Sequence, residues 1–191
     1  MTRILFVCLG NICRSPMAEF VMKDMVKRAG AADQFEIASA ATSREEVGNP
    51  VYSPARQKLA EHGISCKGKT ARQLCAEDYS YYDLLIGMEK VNLRSMQRIC
   101  GGDPEGKMHL LLDGTASPHD VADPWYTGDF DAAWRDIEFG CRSLLEKLTK
   151  KRILCKDENE RRICSFPFVL PFVYPVKNDL TAAKDYGTLT G

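Results

Sequence analysis

RILFVCLGNICRSPMAEFVMKDMVKRAG, residues 3–30, is the stretch that decides the fold. Residues 3–8 are a short apolar run with turn residues directly after it, the pattern of a strand buried on both faces of a parallel sheet. Residues 16–29 predict a helix. Met17, Ala18, Val21, Met22, Met25 and Val26 fall on one stripe, with Glu19, Lys23, Lys27 and Arg28 expected to face away. Pro16 suits a first helical turn and Gly30 a helix stop.

The same alternation continues outward. FEIASA (35–40), DLLIGM (83–88) and MHLLL (108–112) are further strand candidates, and 54–62 predicts a helix ending at Gly63. A last helix is expected over 129–150, burying Phe130, Ala133, Trp134, Ile137, Cys141, Leu144, Leu145 and Leu148. Strands alternating with helices argue for an α/β fold with a parallel sheet covered on both faces. In such folds sites form beyond the carboxyl ends of the strands, which is where Cys8 falls.

Between strand and helix, Cys8 and Arg14 are spaced C-x5-R. Alone, that spacing is a weak signal. Its context, with a strand before it, Gly10 and Asn11 inside it and Ser-Pro with an amphipathic helix after it, makes it strong. The five residues Leu9, Gly10, Asn11, Ile12 and Cys13 can wrap so that several backbone N–H groups converge on one centre. The helix N-terminus adds its positive end there. Gly10 and Asn11 tolerate the left-handed backbone a tight cradle needs. Arg14 can fork two hydrogen bonds onto an oxyanion. The cradle that binds a phosphate dianion also favours the thiolate of Cys8, the nucleophilic form. Ser15 is placed to donate to that sulfur.

Thiolate attack on a phosphate ester expels an alkoxide or phenoxide, which needs a proton donor, usually a carboxylic acid. DPWYTGDFD (123–131) supplies the candidate, Asp123. Pro124 is expected to keep Asp123 out of a helix. Trp125 and Tyr126 beside it would wall a slot for a flat substrate ring. Asp129 reads as the cap of the last helix.

The 191 residues suffice for one domain with a real core. Basic and acidic residues balance, 26 of each, so nothing points to a nucleic-acid partner recruited by bulk charge. The eight cysteines read as reduced thiols of a cytoplasmic protein, because no secretory leader precedes the first strand. No cysteine or histidine spacing suits zinc, so no metal is expected. No apolar run is long enough for membrane insertion. Residues 1–150 read as the domain. Residues 151–191, with KDENERR and then FPFVLPFVYPV, read as a C-terminal appendage, disordered or loosely packed, because the prolines break helix and central strand alike.

VCLGNICRSPMAE (7–19) resembles the signature of the low-molecular-weight protein-tyrosine phosphatases, and DPWYTGDFD resembles their general-acid loop. KTARQL (69–74), DYSYYDLLIGMEKVNL (78–93) and the last helix also match that family's pattern, so the resemblance spans 1–150. It implies a three-layer sandwich with a four-stranded parallel sheet, of the phosphotyrosine protein phosphatase I-like type, and no metal or cofactor. It implies a phosphotyrosine-containing protein as substrate and a phosphocysteine intermediate hydrolysed by water. On the matching positions, Cys8 would be the nucleophile, Arg14 the phosphate ligand, and Asp123 the acid and then the base. Asn11, Ser15 and Ser39 would hold the loop in shape. Cys13 resembles the neighbouring thiol that pairs reversibly with Cys8; it reads equally as a buried loop thiol with no redox role.

The chain departs from the family pattern in three places. Arg44, Glu45 and Glu46 stand where an aromatic residue is frequent, Lys69-Thr70 where His is common before Ala-Arg-Gln, and Glu89 where Asp is usual. Three competing functions share the loop. A protein-arginine phosphatase resembles this chain except for a threonine at the position of Ile12. A thiol-dependent arsenate reductase would need relay cysteines, for which residues 66, 75, 100, 141, 155 and 164 are candidates. A non-catalytic phosphate-binding module would have no need of Asp123.

Overall fold

The computed structural model describes residues 1–159, with side chains through Lys150. Four strands, β1 (Thr2–Cys8), β2 (Phe35–Ala41), β3 (Leu84–Gly87) and β4 (Met108–Leu110), form one parallel sheet in the order β2-β1-β3-β4. The helices are α1 (Arg14–Arg28), α2 (Ser53–Glu61), α3 (Ala76–Tyr81), α4 (Lys90–Cys100), α5 (Pro124–Thr127) and α6 (Phe130–Asn159).

The run 4–8 is continuously apolar because β1 is central and both its faces are covered. Ile4, Phe6 and Cys8 belong to a core shared with Met17, Val21 and Met22 of α1, Leu59 of α2, and Trp134 and Ile137 of α6. Leu5 and Val7 belong to a second core with Tyr79 of α3, Tyr82 directly after it, and Met96 of α4. The result is the three-layer α/β sandwich that the resemblance implies. Each fully buried side chain of β1 contributes about 1.5–3 kcal/mol.

The chain leaves β1 for β2 on one side and then crosses to β3 on the other. The connections therefore part above the carboxyl ends of β1 and β3, and a crevice opens there.

Several expectations change in detail. Glu19 does not face away: it is buried beneath the loop after β1. Its register explains this, since Ser15, Glu19, Met22 and Val26 recur at helical spacing on one buried face. α4 is an element beyond those expected; a box in which the Glu89 and Asn92 side chains each cap the other's backbone starts it, and left-handed Gly101 ends it. The strand at 108–112 shortens to Met108–Leu110, and Asp123 precedes one helical turn, α5, rather than an open loop. α6 continues past 150 to Asn159, in a segment with neither glycine nor proline. The remainder of the expected appendage, from 160, lies outside the described residues. Among those described, no helix is long and apolar enough to cross a membrane.

Candidate active site

The loop joining β1 to α1 closes around the Cys8 sulfur. Asn11 donates its backbone N–H to Cys8 Sγ at 3.3 Å, and the Ser15 hydroxyl lies 3.0 Å from the same atom. Asn11 is the one non-glycine residue of positive φ, 57°, among the described residues. Its short amide makes that conformation tolerable, and it then binds the surroundings together. Asn11 Nδ2 donates to Ser15 Oγ at 2.9 Å and to Ser39 Oγ at 2.7 Å, while Oδ1 accepts the Arg72 N–H at 3.1 Å. Gly10 serves differently from expectation, because it is not left-handed. A Cβ there would stand 3.2 Å from Glu46 Cγ, so its role is to let the loop after β2 lie close.

Beneath the loop, the Ser39 hydroxyl donates to Glu19 Oε2 at 2.5 Å, and Lys69 Nζ approaches the same oxygen at 2.8 Å. Lys23 holds the other oxygen at 2.5 Å. Burial alone would raise the Glu19 pKa; the Lys69 charge and the hydrogen bonds of Lys23, Lys69 and Ser39 outweigh it, so the carboxyl sits below its ordinary range. Lys69, a departure from the family pattern, thereby supplies the counter-charge for the buried acid.

Arg14 opens α1 and is buried. Its Nη2 donates to Glu89 Oε1 at 2.8 Å and to Asp123 Oδ2, and its Nη1 to the Val121 carbonyl at 3.4 Å. Glu89 is oriented by Asn92, whose Nδ2 reaches Glu89 Oε1 at 3.3 Å. Asp123 caps α5, accepting the Trp125 N–H on Oδ1 at 3.1 Å. Trp125 leans on Tyr52, with ring centroids 5.1 Å apart, and Tyr52 donates its backbone N–H to the Ile12 carbonyl at 2.9 Å.

Cys8, Leu9, Gly10, Ile12, Cys13, Arg14, Asp123, Trp125 and Tyr126 all line one cleft of about 150 Å³. Asn11, Ser15 and Ser39 lie under it, fully buried. Every residue singled out in the sequence for this site is thus brought together. Two contributors had not been singled out: Tyr52, which no local pattern marks, and Glu19, whose register was the available signal. Burial first, then the charges of Cys8 and Asp123, push the Cys13 thiol up to about 12. Asp129 caps α6 as expected, accepting the Ala132 N–H at 2.8 Å.

Residues 3–154 match the family model described as low molecular weight phosphotyrosine protein phosphatase. The chain belongs to that family. The low molecular weight protein-tyrosine-phosphatase YfkJ of Bacillus subtilis is 36% identical over 156 residues, covering 81% of this chain and 100% of YfkJ. Its crystal structure superposes with a TM-score of 0.77 over 80% of this chain and 97% of that one. The human low molecular weight phosphotyrosine protein phosphatase is 36% identical over 149 residues, 75% of this chain and 94% of its own. The crystal structure of DARP, a Drosophila arginine phosphatase, also matches, with 28% identity and a TM-score of 0.70 over 78% of this chain and 98% of that one. As a low molecular weight protein-tyrosine phosphatase the chain is a hydrolase, and its family implies phosphoprotein substrates.

Proposed function

We propose that this phosphatase hydrolyses phosphotyrosine in proteins through a phosphocysteine at Cys8. The observation that carries the reading is the meeting of Cys8, Arg14 and Asp123 in a single cleft. The Asn11 N–H and Ser15 hydroxyl are placed to stabilise the Cys8 thiolate by hydrogen bonding. An arriving phosphate takes the Arg14 guanidinium that Asp123 otherwise holds, and the backbone N–H groups of residues 9–13 bind its remaining oxygens. Sγ attacks phosphorus and the bond to the tyrosyl oxygen breaks. Asp123, protonated, gives its proton to that oxygen. Water then attacks the phosphocysteine with Asp123 as base, and the S–P bond breaks to release phosphate and the thiolate.

Trp125 and Tyr126 border the cleft and are half or more exposed, which suits them to flank a flat ring. Six described cysteines are free, in keeping with the cytoplasmic location that forms part of this reading. Protein-arginine phosphatase is the runner-up, since DARP shares the fold. Ile12 tells against it: the side chain is buried, lines the cleft, and has no hydroxyl to offer a guanidinium. Arsenate reduction has less support, because of the six described cysteines only Cys8 and Cys13 line the cleft.

The test compares a phosphotyrosine peptide, a phosphoarginine peptide and arsenate with thiol. Phosphotyrosine is expected to be favoured over phosphoarginine by about tenfold or more in kcat/KM. Cys8→Ser is expected to fall below about a hundredth of the wild-type rate, because a serine hydroxyl is barely ionised at neutral pH. A preference for phosphoarginine, or full activity in Cys8→Ser, would overturn the reading.

A further inference from the structure

The cleft that holds Cys8 and Arg14 has an acidic lip. Glu45 and Glu46, on the loop after β2, line it together with Trp125 and Tyr126. That loop is tied to the cradle, since the Thr42 and Ser43 N–H groups donate to the Cys8 and Leu9 carbonyls at 2.9 and 3.0 Å. Glu46 lies across Gly10 and accepts Asn49 Nδ2 on Oε2 at 2.7 Å. Glu45 is exposed, with its backbone N–H donating to Ser43 Oγ at 3.0 Å.

Neither carboxylate is neutralised by an ion pair among the described residues. The adjacent cation, Arg44, is engaged elsewhere, with Nε donating to Gln73 Oε1 at 2.8 Å. The two acids therefore stand as uncompensated negative charge at the mouth of a site whose base binds a dianion. Such an arrangement offers the reacting phosphate nothing. It acts on whatever lies at the mouth when a phosphate is seated on the cradle. For a phosphotyrosyl side chain the ring occupies the depth of the cleft, so the peptide main chain and its neighbouring side chains lie at the lip.

We propose that Glu45 and Glu46 direct this phosphatase to phosphotyrosines that have lysine or arginine beside them in sequence, and away from those with acidic neighbours. The proposal rests on the phosphotyrosine reading above. Exposed charge pairs are individually modest, so two of them amount to about a tenfold difference between cationic and anionic neighbours. The preference is electrostatic and exposed, so it fades as the Debye length shortens from about 10 Å at 0.1 M salt to about 3 Å at 1 M.

Three phosphotyrosine peptides of one length, with lysine, alanine or glutamate flanking the phosphotyrosine, test this. kcat/KM is measured for the wild type, Glu45→Gln, Glu46→Gln and the double variant, and each value is divided by the same enzyme's value for p-nitrophenyl phosphate. Glutamine keeps the stem over Gly10 and an oxygen for Asn49. The expected result is a lysine-to-glutamate ratio of about ten in the wild type at low salt, approaching one in the double variant and in 1 M salt. Equal turnover of the three peptides by the wild type, or a ratio that survives in the double variant, would overturn the proposal. Hydrolysis of phosphoarginine with none of the three peptides turned over would overturn the phosphotyrosine reading itself, and this proposal with it.

Discussion

Arg14 and Asp123, 109 residues apart in sequence, are ion-paired through Nη2 and Oδ2 in the floor of the cleft. The two residues proposed as phosphate clamp and general acid are therefore each other's partners in this structure. Glu89 holds the same nitrogen, so the guanidinium stays in place when Asp123 lets go.

Asp123→Ala is expected to have two opposed effects. Its kcat on phenyl phosphate falls by about 10²–10⁴, the usual range for general acid catalysis, with a smaller loss for leaving groups that need no proton. Inhibition by inorganic phosphate becomes several-fold tighter at about the same time, because Arg14 no longer has to be released from a carboxylate. Steady-state kinetics with phosphate as inhibitor reads both. An equal loss for good and poor leaving groups would remove Asp123 from the acid's role.

Trp125 is half exposed, yet it is held by Tyr52 at 5.1 Å. An aromatic pair of this kind is worth about 0.5–1.5 kcal/mol. Tyr52→Ala is expected to raise KM for aryl phosphates by about two- to tenfold while a small alkyl phosphate is little affected. The comparison of the two substrates separates loss of the aromatic wall from damage to the cradle.

Glu19→Gln leaves the partly buried Lys69 ammonium without its acid, and is expected to cost about 1–3 kcal/mol in urea denaturation. Glu19→Gln with Lys69→Met is expected to recover part of that loss. The pH dependence has a definite sign. The Glu19 carboxyl is lowered from 4.5 in the folded protein, so its stabilisation is complete above that value and is lost as the pH falls through the lower, folded one. The single variant should therefore show a weaker loss of stability on acidification than the wild type.

Peroxide is expected to inactivate the enzyme by oxidising Cys8 to a sulfenic acid, which the Cys13 thiolate attacks to form a disulfide, the sulfenic oxygen leaving as hydroxide. Burial, the largest cause of the raised Cys13 pKa, persists when Cys8 is oxidised, so little thiolate is present at neutral pH and disulfide formation should quicken as the pH rises from 7 to 9. Mass spectrometry of quenched samples follows the pair. A sulfinic Cys8 with Cys13 still reduced at every pH would show that the pair does not protect.

All residues placed at the site lie between Cys8 and Tyr126. Truncation after Asn159 removes none of these residues and is expected to leave kcat/KM for p-nitrophenyl phosphate within about twofold of the full chain; a larger loss would place part of the removed segment in the working enzyme.

β1, the cradle and α1 were legible in residues 3–30 because their signals are local: a continuous apolar run, a glycine and asparagine turn, then a helical stripe. The same holds for α6, whose periodic face is long. α4 carries the same kind of local signal, with Leu93, Met96, Ile99 and Cys100 at helical spacing on its apolar side, so it was legible but not read. The sequence by itself determined which chemical groups are present and which short segments carry them, since backbone preference and side-chain periodicity act over a few residues. Tertiary structure alone decided their partners. Arg14 meets Glu89 from 75 residues away, Trp125 meets Tyr52, and Glu19 lies buried against Lys69. Those pairings depend on the parallel order β2-β1-β3-β4, which brings loops from distant parts of the chain to one edge of the sheet, and no local pattern encodes which side chains then face each other.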